Sequence, residues 1–78
     1  MNSFVGQIII LPINYAPPGY ALCDGQLLLI PDYPGLFSLI GTTFGGNGAT
    51  DFGLPNYSGQ APAGSNYFIC IEEAMPQA

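Results

Sequence analysis

No Lys, Arg or His occurs anywhere in this chain of 78 residues, while 11 Gly and 8 Pro punctuate it. All five charged side chains are acidic, giving a formal net charge of −5. No ion pair between side chains can form, so the fold must rest on apolar burial and hydrogen bonds. Charged residues make up 6% and hydrophobic residues 49%, whereas an average soluble domain carries about 25% charged residues. So few charges cannot coat a surface, and an isolated subunit is expected to leave contiguous apolar area exposed. Such patches mark association surfaces. Oligomerisation is therefore the first expectation; the competing reading is a compact monomer with a Thr, Asn, Ser, Gln and Gly surface.

The same composition excludes several partners. The length fits one small domain, residues 1–78, whose folding buries only about 60–65% of the chain's surface. Nucleic acid is not expected, because phosphate binding needs Lys or Arg to displace counterions. Anionic membrane surfaces fall on the same ground. Membrane insertion is not expected either: the longest apolar run, Ile8-Ile9-Ile10-Leu11-Pro12-Ile13, is far below the roughly 20 residues of a spanning helix. The amino terminus lacks a basic region before an apolar stretch, so no signal peptide is expected and synthesis in the cytoplasm is. Cys23 and Cys70 are too few for a structural zinc site without His, and no metal or cofactor is expected. The two thiols allow one disulfide; they equally suit small, buried, reduced side chains, the reading favoured here.

Patterning predicts a small α+β domain, rich in β-structure, with one short helix and long Gly/Pro loops. Residues 4–11 are β-branched and bounded by Pro12, and read as a buried strand. Ala16-Pro17-Pro18-Gly19 reads as a rigid loop. Tyr20-Ala21-Leu22-Cys23 reads as a strand ending at Asp24-Gly25, a dipeptide suited to a tight hairpin, with residues 26–30 returning to Pro31. A helix is predicted over residues 34–40: Pro34 suits its first position, Leu36, Phe37, Leu39 and Ile40 give an apolar face, and Gly41 stops it. Gly41-Thr42-Thr43-Phe44-Gly45-Gly46-Asn47-Gly48 lacks the Gly-Lys-Ser/Thr ending of a phosphate loop and reads as a loop anchored by Phe44. Residues 51–55 read as irregular or strand-like, residues 59–65 as a second loop, and residues 66–72 as the closing strand before a Pro-containing tail.

Catalysis is not expected. General acid–base work would be left to Asp24, Asp32, Asp51, Glu72, Glu73, two Cys and five Tyr. Neighbours Glu72 and Glu73 on a strand would face opposite sides and could not act as a pair. Asp24 is explained as a turn former, Asp32 and Asp51 as loop or cap residues. A Cys nucleophile would lack a His partner, and no Asp-x-Asp-x-Asp-Gly calcium loop is present.

Four blocks of residues then spell a family pattern. They are Phe4-x-Gly6-Gln7-Ile8; Ala16-Pro17-x-Gly19-Tyr20-Ala21-x-Cys23-Asp24-Gly25-Gln26; Leu36-Phe37-Ser38-Leu39-Ile40-Gly41-Thr42-Thr43-Phe44-Gly45-Gly46-Asn47-Gly48; and Phe52-x-Leu54-Pro55-Asn56-Tyr57-x-Gly59. In order and spacing this resembles the phage tail collar domain of tail fibre and microcystin-dependent proteins, over about residues 4–62. The final strand with Met75-Pro76 resembles the family's closing segment more loosely. Tyr20 stands where the family usually has Trp, and Gln60 where it often has Arg. Pro62-Ala63-Gly64-Ser65 joins directly where larger relatives make a long, often His- and Gly-rich excursion, so the chain resembles the collar core alone.

The resemblance implies a subunit packed closely with its copies, a trimer above all, in a virion tail or extracellular assembly. Two functions are expected in consequence. The first is structural: self-assembly and docking to other tail or fibre proteins, with Phe4, Ile8, Ile10, Tyr20, Leu22, Phe37, Leu39, Phe44, Phe52 and Leu54 as core or interface candidates. Each aromatic taken alone is expected in the core. The alternative is a module binding a cell-surface glycan or receptor through Tyr15, Tyr33, Tyr57 and Tyr67, with Asp32, Asn56 and Asn66 nearby.

Overall fold

The computed structural model describes residues 4–72. Seven elements follow one another: β1 (Ile8–Leu11), β2 (Tyr20–Leu22), β3 (Leu27–Leu29), a 3₁₀ turn (Ile30–Asp32), α1 (Pro34–Ile40), β4 (Asp51–Gly53) and β5 (Asn66–Cys70). The last strand in sequence is the middle strand in space. β5 pairs antiparallel with β1, Ile8 opposite Ile69, and with β2, Tyr20 opposite Cys70. β3 and β4 form a separate antiparallel ribbon with Leu28 opposite Phe52. The result is a small α+β domain of two antiparallel sheets and one short helix.

Burial explains why β5 takes the centre. Phe68, Ile69 and Cys70 are all buried, and a strand covered on both faces reads as a continuous apolar run. The main core joins the two sheets through α1: Ala21, Cys23, Leu36, Phe52, Leu54 and Ile69 cluster there. The Phe37 and Phe52 rings meet at 5.5 Å, tilted by 58°. Burying a side chain such as Leu36 or Phe52 stabilises the fold by about 1.5–3 kcal/mol. The molecule measures 36 × 36 × 15 Å. At that thickness, little more than the roughly 10 Å between packed sheets, most strands keep one side near water.

Helix α1 begins and ends where predicted. Pro34 occupies its first turn, and the Gly41 N–H donates to the Phe37 carbonyl at 2.8 Å with φ +56°. Tyr33 is the N-cap and no side chain caps the helix, so Asp32, inside the preceding 3₁₀ turn, does not take a cap role. Leu36 is wholly buried and Phe37 and Ile40 half-buried, but Leu39 is exposed. At about 100° per residue, Leu39 lies roughly 110° from the middle of the 36–37–40 stripe. It folds instead over Gly6, where any Cβ would overlap Leu39 Cδ2.

Four further expectations need correction. The first strand starts at Ile8 rather than residue 4, and it is half-exposed rather than buried, because it is a sheet edge covered on one side only. Residues 20–30 form no hairpin: β2 pairs with β5 and β3 with β4. Asp24 instead makes a local turn, its Oδ1 accepting the Gln26 N–H at 3.1 Å while Gln26 Nε2 donates to the Leu22 carbonyl at 2.9 Å. This turn carries the chain from one sheet to the other. Phe44 does not anchor its loop, being 43% exposed. The closing strand ends at Cys70; Glu73 and Met75-Pro76 lie outside the described residues.

Candidate functional site

The ten core or interface candidates separate into two groups. Phe52 and Leu54 are buried, and Tyr20, Leu22 and Phe37 half-buried. Phe4, Ile8, Ile10, Leu39 and Phe44 are exposed, Phe4 by 69% and Leu39 by 62%. The expectation that each aromatic alone is core therefore fails for Phe4 and Phe44. Sequence reasoning missed Leu27 and Leu29, exposed by 59% and 56%. The signal available was the run Leu27-Leu28-Leu29-Ile30, whose alternate members must point away from the core once it is a strand.

Strand edges give these exposed side chains a backbone context. In β1 the pairing Cys70 N–H to Gln7 carbonyl, 2.9 Å, sets the alternation. Residues 7, 9 and 11 therefore bond β5, while Ile8 and Ile10 turn their N–H and C=O outward. In β3 the bond from Leu54 N–H to Gln26 carbonyl, 2.9 Å, and that from Ile30 N–H to Thr50 carbonyl, 3.0 Å, set the same alternation. Leu27 and Leu29 thus face outward. Among the described residues no hydrogen bond meets any of these four outward amides. The next outward position is Pro12 on one edge and Pro31 on the other, neither with an N–H.

The other two edges are closed by the chain's own loops. On β2 the Tyr20 N–H donates to the Pro17 carbonyl at 3.0 Å, and the Leu22 carbonyl accepts from Asp24 N–H at 2.9 Å. On β4 the Gly53 N–H donates to the Gly45 carbonyl at 2.9 Å, and Gly48 N–H to the Asp51 carbonyl at 3.0 Å. Here the glycine-rich stretch finds its reason. Gly46 has φ +90°, and a Cβ on it would overlap Phe52 Cα, so only glycine lets this loop lie directly on β4. Asn47 locks the loop, its Oδ1 accepting from Ala49, Thr50 and Asp51 N–H at 2.7, 2.8 and 3.2 Å.

The four tyrosines do not converge. Tyr33 packs half-buried against the core, and Tyr57 meets Tyr67 edge-on at 5.5 Å. Only Tyr15, 65% exposed, lines the open groove of about 630 Å³, with Pro12, Ile13, Asn14, Gly64, Ser65 and Asn66. Asn66 is tied there by its Nδ2, which donates to the Ile13 carbonyl at 2.8 Å. Asn56 lies elsewhere, bridged to Asp24, and Asp32 is exposed on the 3₁₀ turn.

Both cysteines are buried free thiols. Cys70 Sγ donates to the Glu72 carbonyl at 3.0 Å. Burial, with the adjoining Asp24 carboxylate second, pushes the Cys23 thiol up to about 11, which removes it as a nucleophile at neutral pH. Cys70 lies opposite Tyr20, three positions from Cys23, or about 10 Å along the strand. Disulfide geometry allows at most about 7 Å between Cα atoms.

Comparison with known families decides what this arrangement belongs to. The Phage Tail Collar Domain model matches residues 6–62, which spans β1 through β4 and the glycine-rich loop. The chain belongs to the phage tail collar domain family. A search among curated proteins found no match. Collar domains are structural parts of phage tails, a family not known for catalysis, and the collar core here includes both closed edges and both open ones. No helix among the described residues is long and apolar enough to cross a membrane.

Proposed function

We propose that this collar domain is a non-enzymatic structural subunit of a phage tail, a tail-like particle or an extracellular fibre. It works by assembling with copies of itself, three being the number tail fibres favour, and by docking against other tail or fibre proteins. One observation carries the reading: Phe4, Ile8, Ile10, Leu27, Leu29, Leu39 and Phe44 are all exposed on a chain with no basic residue to keep them in water. Copies of the chain gain most by covering that area, since apolar burial contributes about 25 cal/mol per Å². Light scattering on the purified chain is expected to give a defined oligomer at tens of micromolar. A single subunit at high micromolar concentration would refute self-assembly.

The groove around Tyr15 favours a second reading, recognition of a cell-surface glycan. An exposed aromatic ring flanked by the amides of Asn14 and Asn66 suits a sugar's apolar face and hydroxyls. A glycan array probed with the assembled form tests it, and silence across the array removes it.

A further inference from the structure

We infer that the joint between copies is a head-to-tail strand pairing: the β1 edge of one copy bonds antiparallel to the β3 edge of the next. Ile8 lies opposite Leu29 of the neighbouring copy, and Ile10 opposite its Leu27. This rests on the self-assembly reading and names the surfaces that carry it.

Geometry supplies the fit. Each edge offers two outward residues at a spacing of two, and each is ended by a proline that cannot donate at the next outward position. Antiparallel pairing joins them through four backbone hydrogen bonds. Paired residues point to the same face, so exposed Ile8 and Ile10 meet exposed Leu29 and Leu27; aliphatic cross-strand pairs of this kind stabilise a sheet. Natural proteins guard open apolar edges with charges, prolines and short strands. Neither edge carries a charge within its strand, and Pro12 and Pro31 limit each edge to its two outward residues without covering them.

Charge and closure select this partner over the alternatives. Residues 4–22 contain no charged side chain, whereas Asp24 and Asp32 flank β3. Two β3 edges paired antiparallel would set Asp24 opposite Asp32 of the other copy, like charges whose repulsion destabilises the pair. Two β1 edges paired together would leave every β3 edge open. Pairing β1 with β3 consumes both edges in every subunit. Such a heterologous contact makes a ring if its rotation closes, three copies included, and a filament if it does not.

The test compares the full chain with Ile10→Lys and Leu27→Lys by light scattering. Each variant alone is expected to fall to a single subunit, and the two mixed are expected to form a 1:1 pair that grows no further. That pair requires both variants to be folded. Unchanged oligomer size in both variants overturns the edge pairing while leaving self-assembly standing. Dimers of Leu27→Lys alone overturn the head-to-tail joint in favour of β1 against β1. Wild-type chain that is monomeric throughout refutes the self-assembly reading itself, and the joint with it. Should the lysine variants misfold, oxidising the double variant Ile10→Cys, Leu27→Cys decides. A ladder of covalent multiples supports the register; its absence there, with a ladder from Ile10→Cys, Leu29→Cys, overturns it.

Discussion

Asn47 and Asp51 hold one another across the glycine-rich loop. The Asn47 N–H donates to Asp51 Oδ1 at 2.8 Å, and the Asp51 N–H donates to Asn47 Oδ1 at 3.2 Å. Asn47 Nδ2 also donates to Thr50 Oγ1 at 2.9 Å. One exposed amide thus organises the segment that closes the β4 edge.

Asn47→Ala removes all the bonds made by that side chain at once. At about 0.5–1.5 kcal/mol net for each, shared among exposed and overlapping bonds, we expect a loss of about 2 kcal/mol. For a domain of this size the melting temperature should fall by roughly 8–16 °C, read by circular dichroism. A shift under about 2 °C would show that the backbone contacts of Gly48 and Gly53 suffice.

Two glycines should respond with opposite sign. Gly46→Ala places a Cβ against Phe52 Cα, with Asp51 O only 2.8 Å away, at φ +90°. A loss of about 2–4 kcal/mol is expected. Gly35 sits inside α1 with nothing within 4 Å of a Cβ. Gly35→Ala should stabilise by about 0.5–1 kcal/mol, through helix propensity and a less disordered unfolded chain. Chemical denaturation midpoints read both. A Gly46→Ala variant as stable as the wild type would contradict the loop-on-strand packing, and a destabilised Gly35→Ala would contradict the helix-propensity argument.

Cys23 makes stability fall on the alkaline side. Its folded thiol titrates at about 11 against 9.0 ordinarily, so between those values the folded state keeps a proton that the unfolded chain has released. The stabilisation is complete below about pH 9 and is lost as pH rises towards 11, by about 2–3 kcal/mol. Cys23→Ala should flatten that slope. Alkylation in denaturant should add two groups per chain, one for each free thiol; none would mean a Cys23–Cys70 bridge, which the β2–β5 register forbids.

Salt should stabilise the fold. With net charge −5 and no cationic side chain, added sodium chloride screens chiefly repulsion between carboxylates, over a Debye length of about 10 Å at 0.1 M. A melting temperature that rises steadily between 0.01 and 0.3 M is expected. A fall would require favourable ion pairs, which no side chains here can form.

The helix was legible because Pro34 and Gly41 act locally, through a missing N–H and a positive φ. The collar pattern was legible because its glycines and short motifs sit at fixed spacing. The hairpin at Asp24-Gly25 was misread because a turn dipeptide fixes a local bend and says nothing of which strand lies beside each arm. Likewise Ile8, Ile10, Leu27 and Leu29 are as apolar as core residues, and alternation says only that one set of a strand's side chains points away from the other. Which set is covered depends on what packs against each face once the chain folds.

From the sequence alone came the absence of ionic bonds, the single short helix, the collar family and the expectation that apolar surface would remain uncovered. Only the tertiary structure put β5 in the middle, closed the β2 and β4 edges with their own loops, and left β1 and β3 open. The reason is physical. Propensity and periodicity act over a few neighbouring residues, whereas an edge is a relation between strands that lie far apart in the chain and meet only when it folds.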